Sequence, residues 1–551
     1  MIIMGVRKKL FRFLFYLGAI GFRLLMDPLG FFKTNKEGPI KPEPAGVPLS
    51  SADITIDAEI IKGEIDPFIY GGFIEVLGQC IYGGIWDEAN KKVPLLHGGL
   101  RTDVLEEIQA LKVPIIRWPG GCFSDVYHWK DGIGPRAQRK TKRNRHWGWY
   151  GPKIGPRDNN HFGSDEFMLF IKEVGTEPYI NINFGSGTKE EAAQWVEYMN
   201  GDKTTEYGAL RAQNGHPDPY NVKYWGIANE IFGDWETGSC SAEEYATRYL
   251  EFANAMRARD PSIKFIAVGV DFTMPDWNRT LIEIAGNQID YLSLHVYVPA
   301  KFLANLSNNV QNFYHIIAGA FEVERRIQWF EESIVKVLGN EKKIPIALDE
   351  WNVWWNMRQL YEGYFTLRAG LFAASVFEVF HRHTDTVKMA NLAQLVNVIP
   401  AIVTNETDVY HNPIYLAFQL FSTYAEKYTT SFSVKCETWH NPSFGNIAET
   451  EIPYLGCSVT TNDSKDKLII IGINRHHAQD LPAKISLSHF DPIATAEVLE
   501  MNGPSHSAYN SFEKKEEVNI QTKESIPVSN QFTYTFPAHS VTVIILQKKS
   551  M

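Results

Sequence analysis

A chain of 551 residues, 44% hydrophobic and 21% charged, has the composition of a globular protein large enough for more than one domain. Its net charge of −10 sets nucleic acid aside as a partner, because phosphate binding takes clustered Lys and Arg. The 5 cysteines form no CxxC pair, and no P-loop or strand-linked GxGxxG occurs, so neither a metal nor a cofactor is expected.

Residues 1–34 carry Arg7-Lys8-Lys9 ahead of an apolar stretch from Leu10 to Phe32, the layout of an export signal or membrane anchor. Arg12, Arg23 and Asp27 interrupt it, which leaves an interfacial amphipathic helix or an artefactual start open. With that segment active the protein is exported or membrane-anchored; otherwise it is cytoplasmic. Residues 35–51 are polar with Pro and Gly and read as a linker. Residues 52–67 open with the strand pattern Ala52-Asp53-Ile54-Thr55-Ile56-Asp57.

From 68 to 414, apolar runs alternate with helical patterns. The runs are Phe68–Ile74, Val113–Trp118, Pro178–Phe184, Val222–Ala228, Lys264–Val270, Tyr291–Val296, Ile344–Leu348 and Val387–Leu395. Helical segments between them include Leu100–Lys112, Ser164–Val174, Lys189–Asn200, Ala242–Arg259 and Ile327–Leu338. The runs are continuously apolar, as parallel strands covered on both faces must be. Eight such repeats predict an α/β protein with a (β/α)₈ TIM barrel. Residues 415–551 change to short strands separated by Asn, Asp, Gly and Pro, which predicts a C-terminal antiparallel β-sandwich. The strand region 52–67 is expected to join that sandwich, and the sandwich to pack on the barrel. Cys436 and Cys457 both fall in it, and the sequence leaves their pairing open.

In such a barrel, polar residues at the C-terminal strand ends are the catalytic candidates. Here they are Glu75, Arg117, Asn181 and Asn183, Asn229 and Glu230, His295 and Tyr297, Asp349 and Glu350, and Gln394. A single residue of this kind is more often a structural hydrogen bond. A polar residue on most strands, all at one end, points to a site. Glu230 and Glu350 end the fourth and seventh runs, and two carboxyl groups flanking a bond are what glycoside hydrolysis needs.

Several stretches go further. Gly72-Phe73-Ile74-Glu75, Gly78-Gln79-Cys80-Ile81-Tyr82-Gly83-Gly84-Ile85, Arg117-Trp118-Pro119-Gly120-Gly121 and Asp131-Gly132-Ile133-Gly134-Pro135 come first. Trp225-Gly226-Ile227-Ala228-Asn229-Glu230, Asp349-Glu350-Trp351, Ala393-Gln394-Leu395-Val396-Asn397 and Phe536-Pro537-Ala538-His539-Ser540 follow in order. This set resembles the α-L-arabinofuranosidases of glycoside hydrolase family 51 over nearly all of the chain. The resemblance implies a retaining exo-glycosidase that releases terminal α-L-arabinofuranosyl residues from arabinose-containing oligo- or polysaccharides. It implies Glu230 as acid/base and Glu350 as nucleophile. It places Glu75, Asn229, Tyr297 and Gln394 on the sugar, with Arg117 supporting the nucleophile; His295, from its strand-end position, is a second supporting candidate. Many members carry a sugar-contacting asparagine where this chain has Cys122, and a thiol is the poorer hydrogen-bond partner. By family analogy the protein forms a homo-oligomer, a trimer or hexamer.

The mechanism expects carboxyl groups about 5–5.5 Å apart. It also expects a Glu230 pKa raised by burial and by its neighbour, and an Arg117 that keeps Glu350 charged. An endo-β-glucanase or β-xylosidase of the same family is the alternative, decided by the loop from Arg136 to Asn160 with Trp147, Trp149 and Tyr150. A non-catalytic glycan-binding protein is the alternative from a different class.

Overall fold

The structure, a computed structural model, describes residues 49–300, 307–339, 343–355, 360 and 365–549. The expected export or anchor segment, and most of the linker, lie outside the described residues. No helix among the described residues is long and apolar enough to cross a membrane.

Strand β1 (Ala52–Glu64) precedes a closed eight-stranded barrel. Its staves are β2 (Gly71–Phe73), β3 (Ile115–Trp118), β4 (Glu177–Ile182), β5 (Tyr224–Ile227), β6 (Lys264–Val268), β7 (Tyr291–Pro299), β8 (Ile346–Trp354) and β9 (Val387–Ala393). Each pairs in parallel with the next, and β9 closes onto β2. The floor inside the barrel is an apolar layer of Ile115, Tyr179, Tyr224, Ile266, Ala347 and Met389. Side chains alternate along a strand, so the residue two beyond Ile115 that faces the interior is Arg117. The plug and the site above it are successive layers of one pattern.

Helices cover the outside: α1 (Thr102–Ala110), α2 (Ser164–Val174), α3 (Lys189–Asn200), α4 (Glu206–Gln213), α5 (Ala242–Arg257), α6 (Trp277–Ala285), α7 (Val310–Leu338), α8 (Leu367–Arg382) and α9 (Pro413–Tyr424). Several of their starts carry a side-chain cap: Thr188 accepts from Glu191 N, Ser241 from Glu244 N and Asn309 from Asn312 N.

Three expected elements have different limits. The first run is a strand only over Gly71–Phe73, because Asp66 caps a 3₁₀ turn at Pro67–Tyr70. The helix expected at Ile327–Leu338 starts at Val310, and buried His315, Glu322 and Arg326 interrupt its apolar stripe. The seventh run extends well past Leu348, so Glu350 lies within β8 and not at its end.

That strand also carries a bulge. Ala347 pairs with Ser293 and Glu350 with His295, so three steps on β8 match two on β7. An unbroken strand sends consecutive residues to opposite faces. The extra residue re-aims the chain, so Asp349 and Glu350 both find partners inside the barrel mouth.

The C-terminal part is one sheet of nine strands: β1, β10 (Tyr428–Lys435), β11 (Leu455–Thr461), β12 (Lys467–Asn474), β13 (Leu481–Ser488), β14 (Thr495–Asn502), β15 (Asn519–Pro527), β16 (Gln531–Phe536) and β17 (Val541–Gln547). They lie in the order β15-β14-β17-β12-β11-β10-β1-β13-β16. The sheet curls so that the Phe536 ring of β16 covers Gly472 of β12, where a Cβ would meet the ring at 2.1 Å. The wholly antiparallel expectation is corrected at one pair: β1 runs antiparallel to β10 but parallel to β13. β1 precedes the whole barrel in the chain, so no hairpin sets its direction against β13. Helix α8 joins the two parts: His381 bonds Ser458 Oγ at 2.6 Å and Tyr70 OH at 2.7 Å, and Arg475 reaches Ser375 and Glu378. All five cysteines are free thiols, so Cys436 and Cys457 are not paired.

Candidate active site

The end of β5 is strained. Ala228 has φ 78° and Glu230 φ 39°, both in the left-handed region that side chains rarely adopt. Asp125 holds the turn, accepting from Asn229 N at 3.1 Å and from Phe184 N and Gly185 N at 2.9 Å. The turn delivers Asn229 and Glu230 to the mouth of the barrel, opposite β8.

Glu230 and Glu350 each place a carboxylate oxygen within a cluster whose atoms, with a ring nitrogen of His295, all lie within 4.8 Å. Their surroundings differ. Glu350 Oε1 accepts from Arg117 Nη1 at 2.6 Å, and Oε2 accepts from Tyr297 OH at 2.7 Å. Glu230 Oε2 accepts from the Trp235 indole at 2.8 Å, and Oε1 pairs with His295 Nδ1 at 3.0 Å.

Arg117 is buried and also donates from Nη2 to Asn229 Oδ1 at 2.8 Å. Burial works against its charge, but Asp349 and Glu350 hold the guanidinium firmly ionised. Asp349 sits at the centre of this array, 3.7 Å from Arg117 Nε and 3.3 Å from His295 Nε2, and accepts from Ser293 Oγ and Tyr179 OH. Burial raises its pKa, yet the charges of Arg117 and His295 bring it down to about 2.

His295 bridges three carboxylates. Burial opposes its charge, but Glu350, Asp349 and the bonds to Asp349 and Glu230 push it up to about 10. The partner feels the converse. Burial pushes Glu230 up, but the hydrogen bonds from His295 and Trp235, with the charges of His295 and Arg117, hold it below its ordinary value. The expected upward shift of Glu230 is therefore reversed in the free site, where the proton resides on His295.

A second group lies on the β2 side. Glu75 Oε1 accepts from Phe123 N and from the Trp147 indole, both at 2.9 Å, and Oε2 accepts from Gln394 Nε2 at 3.1 Å. Burial, against those hydrogen bonds, lifts its pKa to about 7. Gln394 keeps a buried Oε1 without a hydrogen-bond partner among the described residues. Cys122 Sγ lies 3.7 Å from Asn229 Nδ2, which also donates to Glu236 Oε1 at 3.1 Å.

The structure thus brings together Glu75, Arg117, Cys122, Asn229, Glu230, His295, Tyr297, Asp349, Glu350 and Gln394. It leaves two of the polar strand residues out. Asn181 binds Ser124 Oγ at 2.6 Å, and Asn183 caps the turn at Ser186 and Gly187. Sequence reasoning assigned no role to Trp235, Asp125 or Glu236, and it named Trp147 only within the loop that decides between activities, not as a partner of Glu75. Trp235, five residues after Glu230 and 44% exposed, had only its place beside the glutamate as a signal.

Residues 107–314 match the family model described as Alpha-L-arabinofuranosidase 1 domain, and residues 349–540 match the Alpha-L-arabinofuranosidase C-terminal domain. The chain is 34% identical over 517 residues to a probable alpha-L-arabinofuranosidase C of Aspergillus clavatus, covering 89% of this chain and 96% of the relative. It belongs to the α-L-arabinofuranosidases of glycoside hydrolase family 51. An intracellular exo-alpha-L-arabinofuranosidase of Bacteroides ovatus is also 34% identical, covering 90% of this chain and 96% of that one. Among solved structures, the arabinose complex of the Thermotoga maritima arabinofuranosidase superposes with a TM-score of 0.82 at 36% identity, covering 90% of this chain and 100% of that chain. Family membership makes this α-L-arabinofuranosidase a glycoside hydrolase, with an arabinose-containing glycan as substrate.

Proposed function

We propose that this protein is a retaining exo-α-L-arabinofuranosidase with Glu350 as nucleophile and Glu230 as acid/base. One observation carries the assignment: two carboxylates share one mouth but have opposite partners. Arg117 and Tyr297 each hold one oxygen of Glu350, which suits an anion that must stay ionised to attack. Glu230 faces a proton-bearing imidazole, which suits a group that must gain and lose a proton. One oxygen of each carboxylate lies within 4.8 Å of the other, which suits the close pair of a double displacement better than the carboxyl groups about 6.5–9.5 Å apart of an inverting enzyme.

In the first step Glu350 attacks the anomeric carbon and the leaving oxygen takes a proton from Glu230. That proton reaches Glu230 Oε1 across the 3.0 Å contact from His295 Nδ1. The glycosyl ester removes the charge of Glu350. In the second step Glu230, now a carboxylate, takes a proton from water, and the water releases the sugar with retained configuration. Glu75, Asn229, Tyr297 and Gln394 bind the furanose hydroxyls, and the unpartnered Gln394 Oε1 is a ready acceptor for one of them. Cys122 stands at the same subsite. Exo action draws support from the exo-acting name of the Bacteroides ovatus relative. A trimeric or hexameric assembly belongs to the same proposal, and sedimentation velocity measures it.

Hydrolysis of 4-nitrophenyl α-L-arabinofuranoside, beside the β-D-xyloside and β-D-glucoside, tests the substrate; product NMR tests the stereochemistry. Selective release of arabinose with retention is expected. Glu350→Ala should abolish turnover, while Glu230→Ala should keep far more activity on substrates with good leaving groups. Inversion, or near-normal activity in both variants, would overturn the assignment.

A further inference from the structure

On the amide-nitrogen side of Asn229, a second cluster is drawn from three separate loops. Cys122 Sγ, a ring nitrogen of His146 and a carboxylate oxygen of Glu236 all lie within 4.8 Å of one another. His146 Nδ1 is 3.9 Å from Glu236 Oε2. All three residues are buried, Glu236 to 1% exposure. Glu236 Oε1 accepts from Asn229, but Oε2 has no hydrogen-bond partner among the described residues. A buried carboxylate oxygen without a partner is costly, and here it points toward an imidazole and a thiol.

We propose that Cys122, His146 and Glu236 bind a divalent transition metal, with zinc the best fit. Thiolate, imidazole and carboxylate together match zinc, whereas magnesium and calcium take oxygen ligands. Zinc bonds of about 2.0–2.3 Å at tetrahedral angles put ligand atoms about 3.3–3.7 Å apart, so the cluster closes on the ion by a contraction of under about 1.5 Å. Three protein ligands leave the fourth position to water. On binding, the Cys122 thiol and the Glu236 carboxyl, both kept protonated by burial in the metal-free site, each lose a proton to solvent, and His146 binds as neutral imidazole.

The site is tied to the catalytic array by one amide. Asn229 donates to Glu236 Oε1 and accepts from Arg117 Nη2, so a metal that fixes Glu236 also fixes Asn229. Cys122 then acts as a metal ligand that an asparagine at that position could not replace. The metal's role is positioning, and the glycosidic chemistry does not pass through it. The ligands are scattered across the sequence with no short spacing between them, so a motif search misses them.

The test uses the full chain. The purified protein is stripped with a chelator, loaded with zinc or with cobalt(II), freed of excess metal and assayed for metal content. One ion per chain is expected, with a thiolate-to-cobalt charge-transfer band in the near ultraviolet and the visible bands of a tetrahedral ion. Cys122→Ser should lose the charge-transfer band, and His146→Gln should weaken metal uptake at least tenfold. Chelation should lower the melting temperature of the wild type and leave that of Cys122→Ser unmoved. A wild-type chain that takes up neither metal overturns the proposal, whatever the variants do. So does a cobalt spectrum without a thiolate band, or equal uptake by a folded Cys122→Ser.

Discussion

The Trp235 indole donates to Glu230 Oε2 at 2.8 Å, from a ring that is 44% exposed at the mouth of the barrel. This hydrogen bond favours the Glu230 carboxylate over its acid. Trp235→Phe keeps the ring and removes the donor, so the pKa of Glu230 rises. The limb of the kcat/KM profile that Glu230 sets should move to higher pH, by about half to one unit given the partial exposure of the pair, while the limb that Glu350 sets stays in place. A profile on an aryl arabinofuranoside checks this; an unmoved Glu230 limb would show that the contact does not tune the acid.

Arg117 serves two acceptors at once, Glu350 Oε1 and Asn229 Oδ1. Lysine keeps the charge but cannot reproduce the planar fork. Arg117→Lys should lower kcat by about 100-fold, the worth of one or two charge-assisted hydrogen bonds in the transition state. KM should move much less. Steady-state kinetics separates the two.

Gly121 has no room for a side chain. A Cβ there would meet Glu350 Oε1 at 2.7 Å and Asn229 Oδ1 at 3.5 Å. Gly121→Ala should displace the carboxylate and cost about 100-fold in kcat. The global fold should survive, because the clash falls on side-chain tips. Circular dichroism beside the activity assay separates the two effects.

Stability should fall at both ends of the pH scale, for opposite reasons. His295 is held up at about 10 in the folded chain, so its contribution is full below its ordinary value of about 6.5 and is lost as pH rises to about 10. Asp349 is held down at about 2, so its contribution is full above about 3.9 and is lost as pH falls to about 2. Each pH unit across these windows is worth at most about 1.4 kcal/mol. Melting temperatures against pH read both limbs, and His295→Asn should flatten the alkaline one.

The barrel was legible because buried parallel strands are apolar on both faces, as Tyr224–Ile227 and Lys264–Val268 show. The two glutamates and Arg117 were legible because each breaks such a run with a charge. What the sequence concealed depends on contacts between distant residues. The bulge in β8 is defined only against β7, so nothing local announces that Asp349 and Glu350 face the same way. Burial and proximity alone argued for a raised Glu230 pKa; the His295 cation, 65 positions away, reverses the sign. The cluster of Cys122, His146 and Glu236 is invisible for the same reason.

Strand β1 is made before the barrel and lies in the interior of the C-terminal sheet, between β10 and β13. The barrel is therefore an insertion between two neighbouring strands of one sheet. A fragment beginning at residue 415 would lack this interior strand and leave β13 and β16 with no strand ladder to the other six. During synthesis, β1 must wait through the whole barrel for the partners that complete it. The two parts then mature as one unit, and an engineered graft of this barrel has to carry both flanking segments with it.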